Sequence, residues 1–275
     1  MKYEIENNED LKILNDIEEK IIKNINLGYD PQILAVLDDE RATSNQIELI
    51  KDKITKEIVT RLFRMANAVY FGKLLGGEIS SFFEATIRIG MQPAKLYIIA
   101  LSIFSLSPSK EYKTLAARSF AASVLGRMLA SEMGFREKEI KNVELGGLFF
   151  NIGQLMILLY RTSGSNIDLE EEFISKYSPY LGLKIIEKFK LPGFLNEIIV
   201  SPYFRLTEDS LHLSAIVNMA NSIVENSFRK YGKLIIQSPV PDELISNTTG
   251  SIIENQFRAI GLSEYIQIVP VIEAR

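Results

Sequence analysis

Apolar residues recur at spacings of three and four along almost the whole chain, and no run of polar–apolar alternation is long enough to define a half-buried strand. Leu11, Leu14, Ile17, Ile21, Ile22 and Ile25 form one stripe, and Ile58, Val59, Leu62, Phe63 and Ala66 form another. The period excludes sandwiches, barrels and doubly wound sheets, and predicts an all-α protein of about a dozen helices. The one strand candidate, Lys233 to Gln237, is short and isolated. No repeat or low-complexity linker divides the chain, and Ser107-Pro108-Ser109 marks a soft boundary.

Helix ends are also written locally. Asp30-Pro31 reads as N-cap and first helical residue, Thr43 or Ser44 caps the next helix, and Thr55 the one after. Ser81-x-x-Glu84 and Ser251-x-x-Glu254 are capping boxes, in which hydroxyl and carboxylate each satisfy an amide of the first turn. Gly90, Gly134 and Gly261 stand where helices stop. Pro93 opens a helix, Thr114 to Met133 is a long one, and Ser178-Pro179 restarts a helix that Leu191-Pro192 ends. Asp209 or Ser210 caps another running to about Lys230.

Composition removes several chemistries. With no Cys there is no disulfide framework, thiolate metal site or cysteine nucleophile, and one His excludes sites that need two imidazoles. Gly146, Gly147 and Gly153 lack the strand and the Gly-Lys-Ser/Thr of a phosphate loop, and read as points of close helix approach. Ser107-x-x-Lys110 and Ser227-x-x-Lys230 match a nucleophile spacing by chance. Asp168 and Glu170-Glu171-Glu172 suit a helix start, and His212 flanks an apolar face as a structural residue. The acidic MKYEIENNED start is not a secretory signal, and the apolar stretch Leu145 to Tyr160 falls short of a bilayer span. A cytoplasmic protein is expected. The net charge is −4, yet residues 61–141 carry +6, which on solvated helix faces is ordinary charge balance.

Two stretches carry more than generic helix. Leu62-Phe63-Arg64-Met65-Ala66-Asn67-Ala68-Val69-Tyr70-Phe71-Gly72 and Ile79-Ser80-Ser81-Phe82-Phe83-Glu84-Ala85-Thr86-Ile87-Arg88-Ile89-Gly90 together resemble the HDOD family, bacterial signalling-output domains related to HD phosphohydrolases. The resemblance spans roughly residues 25–230, with Asn67, Tyr70, Gly72, Ser81, Glu84 and Gly90 as motif residues of structural role. One departure is that Thr55-Lys56 replaces the family's Asp-Pro helix start. The resemblance implies an N-terminal helical bundle (1–109), an HD-like half (110–230) and a C-terminal helical extension (231–275) packed on that half, with the groove between the first two as docking surface.

It also locates the missing histidines. Arg118 stands where the first metal-binding His of an HD enzyme would lie, Phe150-Asn151 replace His-Asp, and Asn221 replaces the closing Asp; Ser178 to Gly182 also lacks the loop His. Phenylalanine has no lone pair to offer, arginine repels a metal, and two amide oxygens are weak neutral ligands, so no metal, cofactor or phosphohydrolase activity is expected. Two readings of that position remain. Asn151 and Asn221 hydrogen-bond buried backbone or water while Phe150 fills the metal volume, or Arg118 and the amides form an anion or nucleotide pocket. The expected role is a non-enzymatic signal-transduction module that binds a protein partner. The alternatives are a nucleotide sensor built on Arg118, Asn151 and Asn221, and a nucleic-acid regulator using Arg61, Arg64, Arg88, Lys95 and Arg127, which would have to share one face.

Overall fold

The computed structural model describes residues 5, 7–30, 32–67, 79–164, 169–200, 213–238 and 249–270. Among them the period-3.6 pattern becomes thirteen α-helices: α1 (Asn8–Ile17), α2 (Gln32–Asp38), α3 (Ser44–Ile50), α4 (Lys56–Asn67), α5 (Phe82–Ile89), α6 (Met91–Phe104), α7 (Lys110–Glu132), α8 (Glu137–Phe149), α9 (Ile152–Thr162), α10 (Glu171–Phe189), α11 (Phe194–Val200), α12 (Leu213–Tyr231) and α13 (Thr249–Ala259). A π-helical turn, Glu18–Ile22, continues α1. The caps act as their chemistry requires. Asp30 Oδ1 accepts from Gln32 N at 2.9 Å, Thr43 and Gln46 form a capping box, and Ser109 Oγ accepts from Tyr112 N at 3.3 Å. That last cap starts α7 at Lys110, four residues before the expected Thr114. Likewise α6 starts at Met91, leaving Pro93 in its first turn, and α13 starts at Thr249, ahead of Ser251.

The chain groups into two compact units that are interleaved in sequence: Met1–Asn26 with Phe104–Glu225, and Leu27–Ile103 with Asn226–Arg275. These are not the expected divisions at 109 and 230. In the first unit, tyrosine hydroxyls of α9 and α10 donate to carboxylates of the N-terminal segment: Tyr160 to Asp16 at 2.5 Å, Tyr177 to Asp10 at 2.7 Å and Tyr180 to Glu18 at 2.5 Å. Lys184 pairs with Glu18 at 3.2 Å, and Lys188 Nζ donates to the Ile22 carbonyl. Burial of Leu14, Ile17, Ile21 and Ile22 completes the attachment, so the first helix belongs with the HD-like half.

The same unit holds α10 together across an interior proline. Expected to restart at Ser178-Pro179, this helix runs unbroken for 19 residues with Pro179 inside it. An interior proline costs about 3 kcal/mol. Buried Phe173, Tyr177, Leu181, Ile185 and Ile186 lie on both sides of it, each contributing about 1.5–3 kcal/mol when buried. Packing therefore outweighs the local break. The helix ends at Lys190, in the left-handed conformation at φ 49°, ahead of Leu191-Pro192.

The segment Glu137–Thr162 through α8 and α9 is long and apolar enough by composition to cross a membrane, but 83% of its most apolar window is buried inside the protein. Two glycines in it permit backbone contact. A Cβ on Gly153 would lie 1.8 Å from the Ser178 carbonyl oxygen of α10, and one on Gly147 would lie 2.6 Å from Ser123 N of α7.

In the second unit the C-terminal residues are neither purely helical nor grouped with the HD-like half. Strand β1 (Leu234–Ser238) pairs in parallel with β2 (Ile266–Pro270), from Leu234 opposite Ile266 to Ser238 opposite Pro270, and α13 lies in the crossover that parallel strands require. The strand candidate is real, but it has a partner. Buried Ile253, Phe257 and Ile260 anchor the segment, and α13 packs on α4.

An ion pair between a buried lysine and an exposed carboxylate fastens α2 to α6. Lys95 Nζ, its side chain 6% exposed, donates to both Asp38 oxygens at 2.7 and 2.6 Å, and Gln92 Nε2 adds a third bond at 3.0 Å. Burial pushes the Asp38 carboxyl up, but the bonds and charge of Lys95 and the bond from Gln92 bring it below its ordinary value.

Two stability predictions follow from these contacts. Gly153→Ala should lower unfolding free energy in urea by about 3 kcal/mol, because the new methyl meets backbone that cannot yield without moving a helix. Gly193→Ala, with open space around it, should change it by less than about 0.5 kcal/mol. Asp38→Ala should cost about 2 kcal/mol at neutral pH by leaving the Lys95 ammonium buried without its counter-charge, less than a fully buried pair because Asp38 is half exposed. Since the folded carboxyl is depressed, that contribution is present above the unfolded value of 3.8 and is lost as pH falls through the folded one. The wild-type and variant curves should converge there.

Candidate functional site

Three helices of the first unit bring the HD-type positions together. The α7 helix carries Arg118 and Ser119, Asn151 sits at the N-terminal boundary of α9, and α12 carries Asn221 and, one turn on, Glu225. Asn151 Nδ2 donates to Asn221 Oδ1 at 3.1 Å and to Ser119 Oγ at 3.3 Å, and the Ser119 hydroxyl donates to the Leu115 carbonyl at 3.2 Å. All three side chains are buried. The amides thus bond each other and a serine, whereas backbone or water was the expectation. Asn151 donates to both neighbours, so these buried polar side chains hydrogen-bond one another.

Arg118 is half-buried and reaches Glu225, Nη2 to Oε1 at 3.3 Å, while its buried Nε has no hydrogen-bond partner. Phe150 packs on the apolar cluster of Ala130, Ile140, Val143, Ile198, Ile216 and Val217, which gives its ring a place in the packing of α7, α8, α11 and α12. Ser119 and Glu225 were not singled out from the sequence. The available signal was position alone, Ser119 beside Arg118 and Glu225 one turn after Asn221.

The anion-pocket reading divides. A cavity of about 490 Å³ opens between α7 and α9, and Arg118 lines it, but the two asparagines are not among its lining residues. The remaining candidates take structural places. Ser107 Oγ meets Ser109 Oγ, and Ser227 Oγ joins α12 to β1 by donating to the Lys233 carbonyl and accepting from Ile235 N. Glu170 is the N-cap residue of α10, with Glu171 and Glu172 in its first turn. No group of three or more His, Cys, Asp and Glu among the described residues could hold a metal ion. His212 and Asp168 lie outside the described residues.

The paired motif of the second unit is a splice between helices. Asn67, last residue of α4, accepts from Ile79 N at 2.9 Å and donates to the Ile79 carbonyl at 3.5 Å. Ser81 Oγ accepts from Glu84 N at 3.1 Å, and the Glu84 carboxylate accepts from Ser80 N and Ser81 N at 3.0 and 3.2 Å, bonds that hold it below the ordinary carboxylate value. Gly90 ends α5 at φ 96°. Tyr70 and Gly72 lie outside the described residues. Of the basic residues in 61–141, Lys95 is buried on Asp38, Arg127 pairs with buried Glu144 at 2.7 Å, Arg61 pairs with Glu57, and Arg88 reaches the Ala66 carbonyl.

Helical architecture and the Asn67 splice with its capping box define an all-α module. The chain belongs to the HDOD domain family, whose model matches residues 31–203. Three solved structures share its fold. A candidate metal-dependent phosphohydrolase from Shewanella amazonensis has a TM-score of 0.60 at 15% identity, covering 92% of this chain and 97% of its own. A candidate phosphohydrolase from the same organism has a TM-score of 0.54 at 16% identity, covering 91% and 88%. An HDOD domain protein of unknown function from Geobacter sulfurreducens has a TM-score of 0.50 at 17% identity, covering 92% and 89%. No curated protein matches the chain.

The Asn151–Asn221 bond can be measured by a double-mutant cycle. Asn151→Ala and Asn221→Ala should each cost about 1–2 kcal/mol in urea unfolding, since each leaves a buried polar partner. The pair should show a coupling energy of about 0.5–1.5 kcal/mol, and zero coupling would mean that the bond contributes nothing.

Proposed function

We propose that this protein is a non-catalytic HDOD module of bacterial signal transduction, acting in the cytoplasm through a protein partner and without a metal. The observation that carries the reading is the filled HD position. An amide pair closed on itself and on Ser119, beside the Arg118–Glu225 ion pair, stands where a hydrolase needs carboxylates and imidazoles to hold a divalent ion and activate water. Neutral amides already bonded to each other compete poorly for a hard cation. The names of the structural neighbours bear on those proteins, and at such identities the likeness carries the fold alone.

The test has two arms. Protein incubated with excess Mn²⁺, Fe²⁺ or Mg²⁺ and then gel-filtered should retain well below one ion per chain by elemental analysis, and should not hydrolyse bis(p-nitrophenyl) phosphate above the metal-only rate. Stoichiometric metal with turnover would overturn the non-catalytic reading. In the second arm, a partner captured from the native cell should rebind the purified chain with a saturable isotherm, and failure of every captured candidate to rebind would overturn the partner reading.

A further inference from the structure

The cavity between α7 and α9 has a composition that neither helix packing nor the partner reading explains. Faces of α7 and α9 build most of it, and Ile174 of α10 completes the wall. On α7 the contributing positions are Lys110, Leu115 and Arg118, with Glu111 and Thr114 between them, and on α9 they are Gln154, Ile157, Leu158 and Arg161 at i, i+3, i+4 and i+7. Asn151 meets Ser119 at one end and Arg161 meets Glu111 at the other, so the two helices run antiparallel and the faces oppose each other along their length.

The chemistry is uneven. Leu115, Ile157 and Leu158 give apolar lining, and among the described residues three cationic side chains, Lys110, Arg118 and Arg161, line the cavity with one carboxylate, Glu111. Arg161 lies 3.6 Å from Glu111, and Arg118 lies 3.3 Å from Glu225. The Arg118 Nε is buried with no hydrogen-bond partner. A buried donor on a charged group left unsatisfied costs about 1–3 kcal/mol.

We infer that this cavity binds a small organic anion, with a phosphate or carboxylate head on Arg118 and Arg161 and an apolar body on the leucine and isoleucine floor. A guanidinium fork suits such a head, since two parallel N–H donors match two oxygens. The volume of about 490 Å³ lies within the roughly 300–1,000 Å³ of small-molecule pockets. The amide pair of Asn151 and Asn221 takes no part. The site is independent of the partner reading, which can fail without it.

The experiment is isothermal titration calorimetry of the full chain with three probes: adenosine 5′-monophosphate, decyl phosphate and inorganic phosphate. One or both organic phosphates should bind at a single site, and the probe that does so distinguishes a nucleotide source from a lipid-like one. Arg118→Gln and Arg161→Gln should each weaken that binding roughly ten- to a hundredfold. Lys141→Gln, on α8 and paired only loosely with Glu137, should leave it unchanged. If an arginine variant fails to melt cooperatively, Ile174→Trp supplies the readout, because a larger side chain at this half-buried wall position should abolish binding without removing a charge. The inference is overturned if neither organic phosphate binds in the millimolar range, if inorganic phosphate binds as tightly as both, or if the folded variants bind like wild type.

Discussion

Two contacts between helix backbones fix the geometry of the HD-like unit. At Gly153 the α9 backbone lies against the Ser178 carbonyl of α10, and at Gly147 α8 lies against Ser123 of α7. Because a methyl group fits at neither place, the helices are held at contact distance and have little room to slide. Asn151 stands two residues before Gly153, so the same contact delivers its amide to Ser119 and Asn221. It also sets the rotation of α9, which turns Gln154, Ile157 and Arg161 toward α7. The hydrogen-bonded triad and the neighbouring cavity are two results of one steric constraint.

Much of the fold is legible because it is local. Thr43, Ser81 and Ser109 cap helices through atoms three residues away, and the period of the apolar residues needs no tertiary information. What escapes local reading is decided by distant chain. Pro179 looks like a helix boundary, and only the buried side chains on both sides of it keep α10 continuous. The strand β1 reads as isolated because its partner lies about thirty residues later, beyond a helix. In the site, Asn151 and Asn221 were found through the motif they occupy. Arg161 belongs to no motif, and nothing short of packing brings it beside Arg118.

Charge in this protein follows the same logic. The middle of the sequence is basic, and the described structure places much of that excess on inward or paired positions: Lys95 on Asp38, Arg127 on Glu144, Arg118 on Glu225. Each partner comes from a different helix, so the pairs carry orientation as well as charge, and a buried arginine or lysine without its carboxylate would be costly. A sequence window can report the sum of charges but not where the opposite charges return in space.

The tyrosines that bind the first helix lie far along the chain. Asp16, Asp10 and Glu18 meet Tyr160, Tyr177 and Tyr180 across separations of 144, 167 and 162 residues. On the ribosome, at about 5–20 residues per second, the first helix emerges roughly ten to thirty seconds before its partners exist. For that interval the stripe of Leu14, Ile17, Ile21 and Ile22 has nothing of its own unit to cover it. The other unit waits as well, since residues 27–103 are joined by a segment that begins at Asn226. Neither half can be completed until synthesis has passed most of the other, so the nascent chain is a natural client for chaperones that shield apolar helices.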